Sequence, residues 1–161
     1  MDRDGVINRW IRGGYALTAR DIVFNEGVIE ALRGLDGEQF AIVIASNQSC
    51  VGRGLLSAAG LHELMSQFVA ETGRGGLDLD AWYCCPHGPE EGCACRKPAP
   101  GLLTSAAADL GLDLRHSYFI GDQPSDMEAA DRAGAQGLII RPDNADDVRA
   151  HVGRIARKVE R

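Results

Sequence analysis

Apolar positions in this chain follow two rhythms. Short runs of consecutive aliphatic and β-branched residues alternate with longer stretches in which apolar residues recur every three or four positions. The first rhythm marks buried strands and the second amphipathic helices. Phe40–Ser46 (FAIVIAS), Ser117–Asp122 (SYFIGD) and Gly137–Pro142 (GLIIRP) have the first form, and Ala81–Cys84 (AWYC) is a weaker instance. Such runs suit strands of a parallel sheet that is covered on both faces. Val28–Leu35, Ser57–Thr72, Gly101–Leu110 and Ser125–Ala133 have the second form. Ser57 and Ser125 stand where N-caps are expected, and Gly73, Gly111 and Gly134 where helices stop. The charged segment Asp146–Arg161 predicts a terminal helix that frays. Strand and helix alternate throughout, which predicts an α/β fold with a mainly parallel sheet.

Composition narrows the class without changing that picture. At 161 residues the chain predicts a single domain spanning 1–161, long enough to bury a core. A net charge of −6 argues against nucleic acid as a partner. No apolar run reaches the roughly 18 residues that a membrane-spanning helix needs, so no membrane partner is expected. Of five cysteines, four crowd into residues 84–95. That clustering predicts metal chemistry in a reducing compartment, hence a cytoplasmic protein, rather than a disulfide scaffold.

The chemistry of a parallel sheet collects at the carboxyl ends of its strands. There the sequence places Ser46-Asn47-Gln48-Ser49, then Cys85 onward, then Gly121-Asp122. The chain opens MDRDGVIN, with Asp2 and Asp4 on alternate residues. They are expected to point to opposite sides and take different roles, one attacking an electrophile while the other handles a proton. A solvated acidic terminus accounts for them equally well. Asp122 and Asp126 could hold and support a hard cation such as Mg²⁺, or simply suit a helix N-terminus. Arg96 and Lys97, in the Pro-bounded CRKPAPG, could grip and neutralise an anion, or be surface charge. Cys85, His87, Cys93 and Cys95 supply the four soft ligands of a closed structural Zn²⁺ site. Their spacing is not that of a common zinc finger. Cys84 and Cys50 read as packing residues, and His62, His116 and His151 have no visible partner.

Together, DRDGVIN, SNQS, CRKPAPG and GDQPSD stand in the order and approximate spacing of the haloacid dehalogenase superfamily. More narrowly, nearly the whole chain resembles its small phosphatases with a zinc-binding loop. The resemblance implies a Rossmann-like sheet with helices on both faces and no large cap domain, so that the zinc loop covers much of the site. It implies Asp2 as nucleophile, forming an aspartyl-phosphate, and Asp4 as general acid and base. Mg²⁺ would be held by Asp2, the Asp4 carbonyl and Asp122, with Asp126 in support. Ser46 and Asn47, within the SNQS segment that also carries Gln48 and Ser49, would bind the phosphoryl oxygens. Lys97 would neutralise them, Arg96 would recognise the rest of the substrate, and Gly14-Tyr15 would contact it. Within the family, GVIN, NQSCVGRG and the Gly14-Tyr15 segment resemble members acting on a heptose bisphosphate, whereas the short gap from His87 to Cys93 resembles those acting on histidinol phosphate. The likeness implies a monomer acting on a small phosphorylated substrate. In this superfamily an apolar strand precedes the DRDG motif, so the first strand is expected to be truncated here, with the native start upstream of Met1. A zinc-stabilised domain without activity is the alternative of another class.

Overall fold

Each apolar run folds as a short parallel strand. In the computed structural model, which describes residues 1–35, 37 and 39–159, β1 is Val43–Asn47, β2 Ala81–Cys85, β3 Tyr118–Gly121 and β4 Gln136–Ile139. The α-helices are α1 Val28–Leu32, α2 Ala58–Arg74, α3 Gly101–Leu110, α4 Pro124–Ala133 and α5 Ala145–Val159. β1 pairs in parallel with β2, from Val43 opposite Ala81 to Asn47 opposite Cys85. β3 pairs in parallel with β4, from Tyr118 opposite Gln136 to Gly121 opposite Ile139.

The first two residues join these pairs. The Met1 nitrogen donates to the Val43 carbonyl at 2.7 Å, and the Ala45 N–H donates to the Met1 carbonyl at 2.9 Å. On the other side the Asp2 N–H donates to the Ile120 carbonyl at 2.9 Å. That pattern is a parallel ladder, so the order runs β2, β1, the Met1–Asp2 segment, β3, β4. Toward the amino ends of the strands the gap between β1 and β3 continues as an apolar cavity of about 130 Å³, whose lining includes Met1, Ala41, Val43, Leu103, Tyr118 and Ile120.

Alternation along the strands sends side chains to two cores. Ile44 and Ile120 pack on one face with Val28 and Leu32 of α1, Met65 and Phe68 of α2, and Val148 and Val152 of α5. Ala45 and Phe119 pack on the other with Leu102 and Leu103 of α3 and Ala130 of α4. Helices therefore cover both faces, as expected.

Several boundaries differ from the sequence reading. β1 starts at Val43 rather than Phe40. Before it, Ile42 is tied to Asp80 through its N–H on the carboxylate at 2.6 Å and through its carbonyl at 3.0 Å. Ser57 caps α2 as expected, accepting from the Gly60 N–H at 3.0 Å, but the helix runs through Gly73 to Arg74. Gly111 and Gly134, both at positive φ, end α3 and α4. α4 is capped by Gln123 rather than Ser125, because Pro124 suits the first helical turn and the Asp126 carboxylate takes the Gln123 N–H at 3.0 Å. β4 ends before Pro142, which has no N–H for a ladder. Residues 160 and 161 of the predicted terminal helix lie outside the described residues. Among the described residues, no helix is long and apolar enough to cross a membrane.

Candidate active site

The carboxyl ends of β1 and β3, with the Met1–Asp2 segment between them, open into a cleft of about 650 Å³. Asp2 is buried at its floor, with one oxygen accepting from the Arg3 N–H at 2.7 Å. Its other oxygen lies 3.0 Å from the Lys97 ammonium, which reaches Asp126 Oδ1 at 2.7 Å. Lys97 is itself buried, 5.1 Å from the Phe119 ring centroid. Burial pushes the Asp2 carboxyl above the usual range, against the opposing pull of Lys97. Burial would also pull the lysine down, but Asp2 and Asp126 outweigh it and the ammonium is held above its ordinary value. The lysine is thus a fixed cation between two acids that β1 and β3 bring together from opposite ends of the chain.

Asp2, Asp122 and Asp126 each offer an oxygen within 4.8 Å of the others. Two glycines make the room. A Cβ on Gly5 would lie 2.5 Å from Asp122 Oδ2, and one on Gly121 would collide with the Asp126 carboxylate. Asp122 Oδ2 accepts from Gln123 Nε2 at 2.7 Å, while its Oδ1 is buried without a hydrogen-bond partner. Burial, helped by Asp2 and Asp126, pushes the Asp122 carboxyl up to about 6 despite the Gln123 bond. Three carboxylates against one lysine, all oxygen donors and one orphaned, fit a hard divalent cation.

Asp4 faces away from this trio. Its carboxylate takes Arg3 Nη2 on both oxygens at 2.9 Å, Asn8 Nδ2 at 2.9 Å and Gln48 Nε2 at 2.8 Å. Burial alone would raise the Asp4 carboxyl, but the Arg3 guanidinium and the Asn8 and Gln48 amides hold it below the usual range. Arg3 is almost fully buried, beside Met65 Sδ at 3.4 Å and 6.0 Å from the Phe68 ring centroid. Asp2 and Asp4 do take separate partners, but the cause is the bend at Arg3, since alternate residues of a straight extended segment would share a face.

The SNQS segment lines the same cleft. Ser46 and Gln48 are buried, and Gln48 Nε2 also donates to Ser46 Oγ at 3.0 Å. The Asn47 side chain is spent on the Lys97 main chain, donating to its carbonyl and accepting from its N–H, both at 3.0 Å. Its own N–H takes no part in this clasp and is a candidate donor to a phosphoryl group. Ser49 Oγ lies 3.2 Å from the Tyr15 hydroxyl, which brings the Gly14-Tyr15 loop over the cleft.

Cys85, at the end of β2, gathers His87, Cys93 and Cys95 around it. The sulfurs lie 3.2, 3.4 and 3.6 Å apart, and His87 Nδ1 is 3.2 Å from Cys95 and 3.5 Å from Cys85. Sulfurs 2.3 Å from a tetrahedral ion would be about 3.8 Å apart, so this cluster is compatible with zinc. Cys93 Sγ accepts from the Arg96 N–H at 3.4 Å, and Arg96 Nη1 donates to the His87 carbonyl at 3.2 Å. The cluster thus sets the loop that carries Arg96 and Lys97 into the cleft.

Arg3, Asn8, Trp10, Arg53 and Gln123 took no role in the sequence reading. Arg53, Trp10, Ile11 and residues 13–16 line the cleft, whereas of the zinc-loop region only Arg96 and Lys97, just past Cys95, reach it, so the expected covering by the zinc loop is not what lines this site. The half-exposed Trp10 among polar residues, and the arginine between two acids, were the only signals.

These features agree with what the chain is similar to. Residues 94–156 match the model of the HAD-hydrolase-like family. The chain belongs to the haloacid dehalogenase-like hydrolases, and its relatives there are phosphatases. It is 36% identical over 141 residues to D-glycero-β-D-manno-heptose-1,7-bisphosphate 7-phosphatase of Pseudomonas putida, covering 88% of this chain and 80% of that one. It is 37% identical over 140 residues to the D-glycero-α-D-manno-heptose-1,7-bisphosphate 7-phosphatase of Campylobacter jejuni, covering 87% and 79%. Among solved structures, D,D-heptose 1,7-bisphosphate phosphatase of B. bronchiseptica, complexed with magnesium and phosphate, superposes with a TM-score of 0.83 at 29% identity, over 99% of this chain and 95% of that one.

Proposed function

We propose that this phosphatase removes the 7-phosphate of a D-glycero-D-manno-heptose 1,7-bisphosphate through an aspartyl-phosphate on Asp2. The observation that carries the reading is Asp2 itself, a buried carboxylate 3.0 Å from a buried lysine and grouped with Asp122 and Asp126. An Asp2 oxygen attacks phosphorus as the P–O bond to the sugar breaks, and Asp4 gives the departing oxygen its proton. Water then attacks the same phosphorus, Asp4 takes a proton from it, and the Asp2–P bond breaks. Phosphoryl transfer is mostly positioning and charge compensation. Lys97 offsets phosphoryl charge, with the Ser46 hydroxyl and the Asn47 N–H as donors. Asp2, Asp122, Asp126 and the Asp4 carbonyl would hold Mg²⁺, which supplies further charge compensation when bound. Cys85, His87, Cys93 and Cys95 would hold a structural Zn²⁺. Four soft ligands gathered in one cluster, rather than cysteines spread along the chain, suit a reducing cytoplasm.

Two further arginines on the cleft wall, Arg53 and Arg96, favour a substrate with a second anionic group. Histidinol phosphate has no second anion. It remains a second reading because the His87–Cys93 spacing is short. Phosphate release from both esters, with and without Mg²⁺, separates the readings; the bisphosphate is expected to turn over faster, and only with the metal. Asp2→Asn is expected to abolish release while zinc stays at one per chain. Turnover that survives Asp2→Asn would falsify the mechanism.

A further inference from the structure

We propose that Gln48 is a positioning residue for proton transfer: its buried amide ties the Asp4 carboxylate to the Ser46 hydroxyl at the phosphoryl-binding end of β1. The inference rests on the reading of Asp4 as acid and base. Both Gln48 N–H groups are engaged, one on Asp4 Oδ2 at 2.8 Å and one on Ser46 Oγ at 3.0 Å. Its carbonyl oxygen accepts from Arg3 Nη2 at 3.2 Å. Charge fixes this orientation, because a flipped amide would set its oxygen against a carboxylate and its NH₂ against a guanidinium. The main chain is fixed too, with the Gln48 N–H on the Cys85 carbonyl at 2.7 Å. No N–H of Gln48 is left for a substrate.

Two consequences follow for the reacting groups. Ser46 Oγ accepts from Gln48, so its own proton is free to point at a phosphoryl oxygen. Asp4 takes five donor contacts in all, counting Arg3 Nε at 3.3 Å on Oδ1. A carboxylate has about four lone-pair sites. Asp4 can exchange a proton with the substrate only by giving up one of these partners. Arg3 and Asn8 crowd Oδ1, whereas Oδ2 has only Arg3 and Gln48. Of these two, the Gln48 amide is neutral and the Arg3 guanidinium charged, so Gln48 is the weaker partner of Oδ2 and the one that gives way. The same bridge therefore sets where the acid stands and which oxygen works.

The test uses two leaving groups. A sugar hydroxyl must be protonated as it departs, whereas the phenolate of p-nitrophenyl phosphate leaves without a proton. Gln48→Met keeps the length of the side chain and removes its hydrogen bonds. It is expected to lower kcat/KM on heptose 1,7-bisphosphate about tenfold or more. On p-nitrophenyl phosphate the loss should be several-fold smaller, since that ester needs no proton and only the Ser46 contact is disturbed. In an Asp4→Asn background the same substitution should no longer discriminate between the two esters. If Gln48→Met does not fold, Gln48→Asn, which keeps the amide but shortens its reach, carries the same expectations. Equal losses on both esters, while Asp4→Asn alone still discriminates between them, overturn the positioning role and leave Asp4 as the acid. If Asp4→Asn itself shows no dependence on the leaving group, the acid–base reading fails, and this inference with it.

Discussion

Gly5 sits at φ +81° directly against the Asp122 carboxylate, so two constraints meet in one residue. A side chain there would cost about 1–2 kcal/mol of backbone strain and would displace the Asp122 carboxylate. Typical domains hold about 5–15 kcal/mol, so the fold should survive Gly5→Ala while the metal trio loosens. The expected outcome is a Mg²⁺ requirement raised about tenfold or more, read from a magnesium titration of phosphate release, with a cooperative melt retained. An unchanged magnesium requirement would remove Asp122 from the metal set. Arg3 shows the same economy. A guanidinium buried between Met65, Phe68, Asp4 and Gln48 is tolerable only because its charge meets a carboxylate.

Among the elements, the Met1–Asp2 segment does the most with the least. Three backbone bonds hold it between β1 and β3, and Asp2 projects from it into the cleft. The gap continues past Met1 as an apolar cavity lined by both strands. An extended apolar segment of about five residues joined ahead of Met1 would pair with both neighbours and bury side chains worth about 1.5–3 kcal/mol each. Against this stands an ordering cost of about 1–2 kcal/mol per residue. We expect the melting temperature to rise by about 5 °C or more, relative to a Gly/Ser extension of the same length. Equal melting of the two extended chains would show that the gap does not accept a strand.

At the scale of the whole molecule, two separate clusters serve one cleft. The carboxylate trio and Lys97 sit on the floor, whereas the cysteine–histidine cluster stands beside it and aims Arg96 and Lys97 inward. If zinc holds that cluster, a chelator should abolish turnover by releasing the loop, and excess Mg²⁺ should not restore it. Zinc should restore it, and the far-ultraviolet circular dichroism should change little because the helices and strands supply most of both apolar cores, the cluster adding only Cys85, Cys93 and Cys95 to one. Turnover that persists in chelator after zinc has been shown to leave would refute a role for the cluster in the site.

Much of this was legible in the chain. The apolar runs gave a parallel α/β sheet because a strand buried on both faces admits few other patterns. The polar residues that end those runs named Ser46, Cys85 and Asp122 as candidates, since parallel strands deliver their carboxyl ends to one side, whereas Asp2 and Lys97 stood out in the MDRDGVIN and CRKPAPG motifs. Periodicity fixes the face on which a side chain stands. It does not fix what stands opposite, because partners arrive from 45 or 62 residues away. Only the tertiary structure could set Lys97 between Asp2 and Asp126, spend the Asn47 side chain on the Lys97 backbone, and turn Gln48 onto Asp4 and Ser46. Those pairings follow from burial. Inside the folded chain each charge or amide must find a partner among the groups that packing has brought within reach, and the sequence alone does not say which groups those are.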